Sequence, residues 1–230
     1  MMRALQGRAH ALLFTTGLLV ASLATPALAT SAAVDALALP DAFADGSRHE
    51  SGSDMTWGQV AVSGASLTIR MAVPNRWVAV TGIQGPARTL VSQDGSLIAI
   101  VAPPVPAPKP VYRLATASEL QAYSDAVSKA FGRDTMAVGQ AKISGRYWSW
   151  LDLGDGDMAE GNAGAGAANP TMAPPNTRLW VLTSTVHGQE VTLIFMVRHA
   201  AGMSATARDA HSRDSGPVFA RIMERLTFVQ

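Results

Sequence analysis

Four closely spaced acidic residues are the first candidates for chemistry: Asp152, Asp155, Asp157 and Glu160. Hard carboxylate oxygens brought together in this way can surround a calcium ion. However, Gly156 lies between two of the acids, and the segment lacks the ligand spacing of an EF-hand loop. The pattern therefore favours a solvated acidic turn, with calcium binding as the alternative, and no metal ligand is predicted.

The histidines are the next candidates, because a neutral imidazole can bind zinc. His49, His187, His199 and His211 are not paired at HxH or HxxxH spacing, so the sequence does not predict a zinc site. Surface or core positions are the default interpretation for histidines of this kind. His187, at the tip of a predicted hairpin, is kept as a candidate binding residue.

Nucleophilic and nucleotide-binding motifs are missing from the sequence. There is no GxSxG elbow and no GxGxxG or GxxxxGK loop. Glycoside hydrolases act through two carboxylates that meet only in the folded chain, so the sequence leaves that reaction open. No catalytic residue and no cofactor are predicted.

Tryptophans provide a further possible binding surface. Trp148 and Trp150 share one face of a predicted strand. A buried core face is the default for such aromatic residues. If helices covered the Tyr147 side of the strand instead, the pair would form an exposed strip for a partner or a sugar ring. The candidate binding residues are therefore Trp148, Trp150, His187, Asp155 and Asp157.

Composition indicates a folded chain, and the N-terminal residues indicate an exported one. The 230 residues are 48% hydrophobic and 15% charged, which is typical of a globular protein. Residues 1–29 have the features of a secretory signal, with Arg3 and Arg8 before an apolar stretch, and cleavage is expected after Ala29. An uncleaved N-terminal anchor is the alternative. Periplasmic or secreted localisation, in a bacterium, follows from the first interpretation.

The charge and cysteine content of the chain limit the kinds of partner and anchor it can have. The signal carries two of the 18 basic residues and none of the 17 acids, so the mature chain has a slight acidic excess. Such a chain has no basic field to attract nucleic acid. The absence of cysteine excludes disulfides and a lipid anchor on a thiol. No integral membrane segment is expected after signal cleavage.

The remaining sequence predicts alternating strands and helices. Residues 30–54 are expected to form a flexible leader outside the core, and residues 55–230 a single α/β domain. Hairpins are predicted around Ser63-Gly64, around Asp94-Gly95 and around His187-Gly188. A capping box at Thr116 begins a helix that ends before Gly132. The proline-rich residues 102–110 form an extended crossover or, alternatively, a ligand for another module. A low-complexity loop covers residues 154–176, and a last helix is expected to break at Gly216-Pro217.

Three short motifs in this order carry a resemblance to a known family. They are Val73-Pro74-Asn75-x-Trp77 after the first hairpin, Gly145-Arg146-Tyr147-Trp148, and the closing Ile222-Met223-x-x-Leu226-Thr227-Phe228. Between Ser66 and Val229 the chain resembles the PsbP-like α/β/α sandwich superfamily, whose bacterial envelope members include DcrB. The resemblance implies an antiparallel sheet between helices and a binding or assembly scaffold without a shared active site.

The sequence thus predicts an α/β (α+β) domain with an antiparallel sheet sandwiched by helices. The function expected is that of an exported, non-enzymatic binding or accessory module that recognises another protein in the cell envelope. A cell-wall or carbohydrate hydrolase using carboxylates is the alternative.

Overall fold

A computed structural model describes residues 39–44, 57–80, 87–108, 112–156 and 176–230. All of them belong to one compact unit, Ala33–Gln230. The predicted signal at residues 1–29 lies outside the described residues, as do Asp157 and most of the low-complexity segment. The bounds of the signal and of the low-complexity loop therefore remain predictions.

The larger sheet is antiparallel throughout and follows the order β3-β4-β5-β10-β9-β8-β7, with β6 paired to β10. Short turns with left-handed residues, such as His187 and Gly188, connect its hairpins. The proline-rich crossover contributes β6 to this sheet before the chain reaches the next helix. The strands are β3 (Val78–Val80), β4 (Arg88–Val91), β5 (Leu97–Val101), β6 (Val105–Pro106), β7 (Ala137–Ile143), β8 (Arg146–Asp155), β9 (Thr177–Val186) and β10 (Gln189–Arg198).

A second, smaller sheet has the order β1-β2-β11. Strand β1 (Trp57–Ser63) and β2 (Thr68–Pro74) form the predicted hairpin, with Ser63 opposite Thr68. The last strand, β11 (Thr227–Val229), returns antiparallel to β2. The fold class predicted from the sequence is confirmed: antiparallel sheets carry helices packed on them.

The described residues form three helices: α1 (Asp41–Ala44), α2 (Ala117–Phe131) and α3 (Ala205–Glu224). The predicted capping box of α2 is present, because the Thr116 hydroxyl accepts from the Glu119 N–H while the Glu119 carboxylate accepts from the Thr116 N–H. Helix α2 ends at Gly132, which adopts a left-handed conformation. No helix in the described part of the chain is long and apolar enough to cross a membrane.

The prediction that the last helix breaks at Gly216-Pro217 is wrong. Helix α3 continues through Pro217, although an internal proline removes one hydrogen bond and costs about 3 kcal/mol. Phe219, Ile222 and Met223, beyond the proline, are fully buried, and each such burial stabilises by roughly 1.5–3 kcal/mol. Packing of this last part of α3 therefore outweighs the cost of the proline.

The main core lies between the larger sheet, the smaller sheet, α3 and α1. Phe43 of α1 is buried, with its ring centroid 5.3 Å from that of Trp180 and 5.7 Å from that of Phe219. Ala42 is buried beside it. The expectation that the leader stays outside the core is therefore wrong for these two residues. The short apolar segment was overlooked because polar and small residues surround it.

A smaller apolar cluster lies on the opposite face of the larger sheet, under α2. Phe131 and the partly buried Val127, near the end of α2, pack there against strand residues such as Val181 and Ile194. The two clusters show that helices cover both faces of the sheet.

Candidate functional site

The first turns of α2 stand over a groove of about 480 Å³ on the same face of the larger sheet. Whereas the end of α2 packs on apolar residues, most residues that line this groove are polar, although much of the surface they expose there is carbon. Its lining residues are Pro108, Arg113, Ala115, Glu119, Ala122, Tyr123, Gln140, Tyr147, Ser149, Thr183, Ser184, Thr185 and Glu190. The groove thus offers hydroxyl and carboxylate groups, beside apolar surface, to a ligand.

An ion pair marks the end of the groove where α2 begins. The Arg113 guanidinium donates two hydrogen bonds of 2.9 Å to the Glu119 carboxylate. Hydrogen bonds from Arg113 and from Thr116 lower the pKa of Glu119 to about 2. Glu119 is therefore ionised at neutral pH, and both of its oxygens are already engaged.

Two side chains, the buried Gln140 and the half-buried Tyr123, set the position of α2 over the sheet. Gln140 of β7 holds the backbone of Ala115, accepting from its N–H at 2.6 Å and donating to its carbonyl at 3.0 Å. The Tyr123 hydroxyl donates to the Val181 carbonyl at 3.4 Å. Burial raises the pKa of Tyr123, so its hydroxyl stays protonated and remains a donor.

Exposed apolar side chains border the groove. Tyr112 and Leu114 flank Arg113 in the chain and are 60% and 39% exposed. Val105, which is 51% exposed, lies in β6 directly opposite Glu190 of β10. A polar floor beside exposed apolar residues is a mixture that protein-binding surfaces use, where apolar contacts and hydrogen bonds act together.

A cluster of charged and polar side chains surrounds His199 at the other end of the larger sheet. Its side chain is fully buried, and its Nε2 lies 3.1 Å from Oδ1 of Asp155. Its Nδ1 lies 3.3 Å from Nδ1 of His211 on α3. Burial lowers the pKa of His199, and the neighbouring Asp155 opposes this shift. Arg208 of α3 completes the cluster, with its Nε 3.4 Å from Oδ2 of Asp155.

Two members of the predicted acidic cluster, Asp152 and Asp155, lie among the described residues. Asp152 is buried, not solvated, and accepts from Arg178 at 2.7 Å and from the Gly154 N–H at 2.8 Å. Arg178 also donates to Asp209 of α3 at 2.8 Å. Asp152 and Asp155 are thus paired with basic side chains, and no group of metal-ligating residues forms among the described residues. Asp157 and Glu160 lie outside these residues.

The two tryptophans face the main core. Trp148 is 1% exposed, and Trp150 is partly buried against the same cluster. The ring of Trp150 lies over Gly139 of the neighbouring strand, where a side chain would overlap it. The default core interpretation holds for Trp148, and the alternative of an exposed strip is wrong for it, because α1 and α3 cover this face of the sheet.

Two other predicted binding residues, Asp155 and His187, lie at opposite ends of the larger sheet. Asp155 lies opposite Arg178, near the start of β9, whereas His187 follows the end of that strand and is exposed. A ten-residue strand is roughly 33 Å long. His187 and Asp155 therefore do not form one site.

Sequence reasoning predicted neither the groove under α2 nor the cluster around His199. The groove had a detectable signal, because Thr183 and Thr185 alternate with better buried residues along β9 and indicate a face that apolar packing does not cover. The pairing of His199 with His211 had no detectable signal in the sequence, since the two residues lie in different parts of the chain that meet only when it folds.

Comparison with known proteins gives a resemblance in fold only. No family model and no curated protein matches the chain. Among solved structures, a mutant of the protein Mog1 is 9% identical, covers 75% of this chain and 96% of its own, and has a TM-score of 0.48. The solution structure of cyanobacterial PsbP (CyanoP) from Synechocystis is 15% identical, covers 73% and 95%, and has a TM-score of 0.42.

One of these neighbours is a PsbP by name, but at this TM-score the likeness leaves the PsbP-like resemblance a prediction. Relationship to the envelope protein DcrB stays a prediction. Both TM-scores lie below 0.5, so neither structure carries an argument about the function of this chain.

Proposed function

We propose that the chain is an exported, non-enzymatic binding or accessory module that recognises another protein in the cell envelope, and that it binds a segment of that protein in the groove under α2. The observation that carries the proposal is the uncovered polar floor beneath the first turns of the helix. The signal-like residues 1–29 support export.

The chemistry of the groove suits an extended polypeptide segment. Backbone N–H and C=O groups of such a segment can bond to hydroxyls that line the floor, such as that of Ser149. Its apolar side chains can contact Tyr112 and Leu114 at the border. Because Gln140 and Tyr123 already fix α2, the groove is formed before the partner arrives, which reduces the entropy lost on binding.

The hydrolase alternative gains little from the same groove. It needs one carboxyl group that is protonated near neutral pH to act as general acid. Glu119 and Glu190 both line the groove, but the low pKa of Glu119, about 2, leaves it without a proton to give. A binding role is compatible with an ionised Glu119 that is paired with Arg113.

Two exposed alanines on α2 allow a matched test. Ala122 lines the groove and Ala130 does not, yet both are solvent-exposed on the same helix. Ala122→Trp fills the groove, whereas Ala130→Trp adds the same ring to the surface outside it. The full chain and each variant are immobilised, exposed to envelope extract, and the retained proteins identified by mass spectrometry.

We expect one partner to be retained by the unaltered chain and by Ala130→Trp but not by Ala122→Trp, with calorimetric titration of the purified partner giving the same order. Equal retention by both tryptophan variants would disprove binding in the groove. Turnover of cell-wall or carbohydrate substrates that Glu190→Gln abolishes would favour the hydrolase instead. Recovery of the chain from cytosol with residues 1–29 intact would disprove export.

A further inference from the structure

The contact between His199 and His211 joins three elements through two imidazole rings. His199 immediately follows β10, Asp155 ends β8, and His211 lies on α3. The ring centroids of the two histidines are 5.4 Å apart, and the rings meet edge to face. The shortest approach is between their two Nδ1 atoms, at 3.3 Å.

Hydrogen-bond roles follow from the chemistry of the partners. An ionised carboxylate only accepts, so Nε2 of His199 carries the hydrogen that it donates to Asp155. In the neutral ring, Nδ1 of His199 then has a lone pair and accepts from the Nδ1–H of His211. Two neutral histidines therefore satisfy this contact.

Protonation of His199 changes this contact. Because its Nε2 already carries the hydrogen donated to Asp155, the added proton has to bind Nδ1. Two N–H donors then face each other across 3.3 Å, and the contact changes from attractive to repulsive.

Charged groups around His199 act in both directions. Asp155 on β8 favours the protonated ring, whereas His211 and Arg208 on α3 disfavour it, as does burial. Arg133, after α2, acts on Asp155 through its positive charge. The pairs formed by Arg178 with Asp152 and with Asp209 join the same ends of β9, β8 and α3. They also hold the start of α3, so protonation of His199 weakens the attachment of these turns and does not remove it.

We propose that His199 and His211 form a pH-responsive contact that holds the first turns of α3 against the ends of β8 and β10 while His199 is neutral, and that this attachment loosens when His199 is protonated. The rest of α3 stays attached, because Phe219, Ile222 and Met223 are buried in the main core. Acidification thus loosens one end of a helix and leaves the domain folded.

The direction of the effect follows from proton linkage. Because the pKa of His199 is lowered in the fold, the open state binds a proton more readily than the closed state. The contact is therefore complete above the ordinary histidine pKa of about 6.5 and weakens as pH falls through the lowered value. Between these two values each pH unit raises the opening of the helix end by up to about tenfold, and below the lowered value the effect levels off.

Nuclear magnetic resonance of the full chain tests the proposal through the ring signals of His199 during a pH titration. His211→Gln removes a like charge and should raise the titration midpoint of His199, whereas Asp155→Asn removes an opposite charge and should lower it. His187→Gln, at the exposed hairpin tip, is the matched control and should leave the midpoint unchanged.

Hydrogen exchange of the unaltered chain provides the second measurement, independent of any variant. After correction for intrinsic rates, exchange in the first turns of α3 should increase on acidification while the amides around Phe219 stay protected. A midpoint of His199 that is the same in both His211→Gln and Asp155→Asn, or exchange in α3 that does not respond to pH, would overturn the proposal.

Discussion

Substitution of Gly216 should reverse a general rule of helix stability. Gly216 lies inside α3, where replacing glycine with alanine usually stabilises by about 0.5–1 kcal/mol. At this position a Cβ atom would overlap the backbone carbonyl of Ala42 on α1. A backbone group cannot rotate away as a flexible side chain can, so α1 has to move.

The size of the effect follows from what α1 carries. If Gly216→Ala expels α1 completely, the loss approaches that of Phe43→Ala, about 3–5 kcal/mol for a buried phenylalanine. The gain in helix propensity offsets a part of this. We therefore expect a net loss of about 1–3 kcal/mol, which lowers the melting temperature by roughly 2–4 °C per kcal/mol in a domain of this size.

Urea unfolding followed by tryptophan fluorescence is the assay, since Phe43 packs on the buried Trp180. The control is a double-mutant cycle. Once Phe43→Ala has weakened the docking of α1, adding Gly216→Ala should cost less than it does alone. A Gly216→Ala protein that is more stable than the original, or costs that simply add, would refute the reasoning.

Three further predictions concern the sheets. Gly139→Ala places a methyl group against the ring of Trp150 and should cost about 1–3 kcal/mol in urea unfolding. Trp148→Ala should cost about 3–5 kcal/mol or unfold the domain, because the ring is buried; unchanged stability would contradict its core position. Hydrogen bonds from Ser92 and Ser96 lower the pKa of Asp94 to about 2, so its contribution to stability is present above about pH 4 and lost as pH falls toward 2. The Asp94→Asn protein should therefore lose less stability than the original over that range, measured by urea midpoints.

Much of the fold could be predicted because local signals agreed with the tertiary structure. The capping box at Thr116, the left-handed Gly132 and the turn at His187-Gly188 each specify a local conformation whatever packs nearby. Two expectations failed where packing overrides local preference. Pro217 stays helical because residues beyond it are buried, and the short α1 forms against a core that no nearby sequence reveals.

The sites were harder to predict than the elements. The sequence singles out Asp155, but its partners His199 and Arg208 come from distant parts of the chain. The groove arises where α2 leaves strand hydroxyls uncovered, which depends on how the helix is placed and not on any motif. Trp148 and Trp150 were assigned to one face correctly, but only the positions of α1 and α3 decide that this face is covered.

The docking of α1 has a practical consequence for anyone who produces this protein. A recombinant version that starts at residue 55, the predicted domain boundary, would lack Phe43 and leave an apolar slot between Trp180, Phe195 and Phe219. Such a truncated version would be prone to aggregate, because the slot exposes aromatic surface to water. Shortened versions should therefore begin before Leu39.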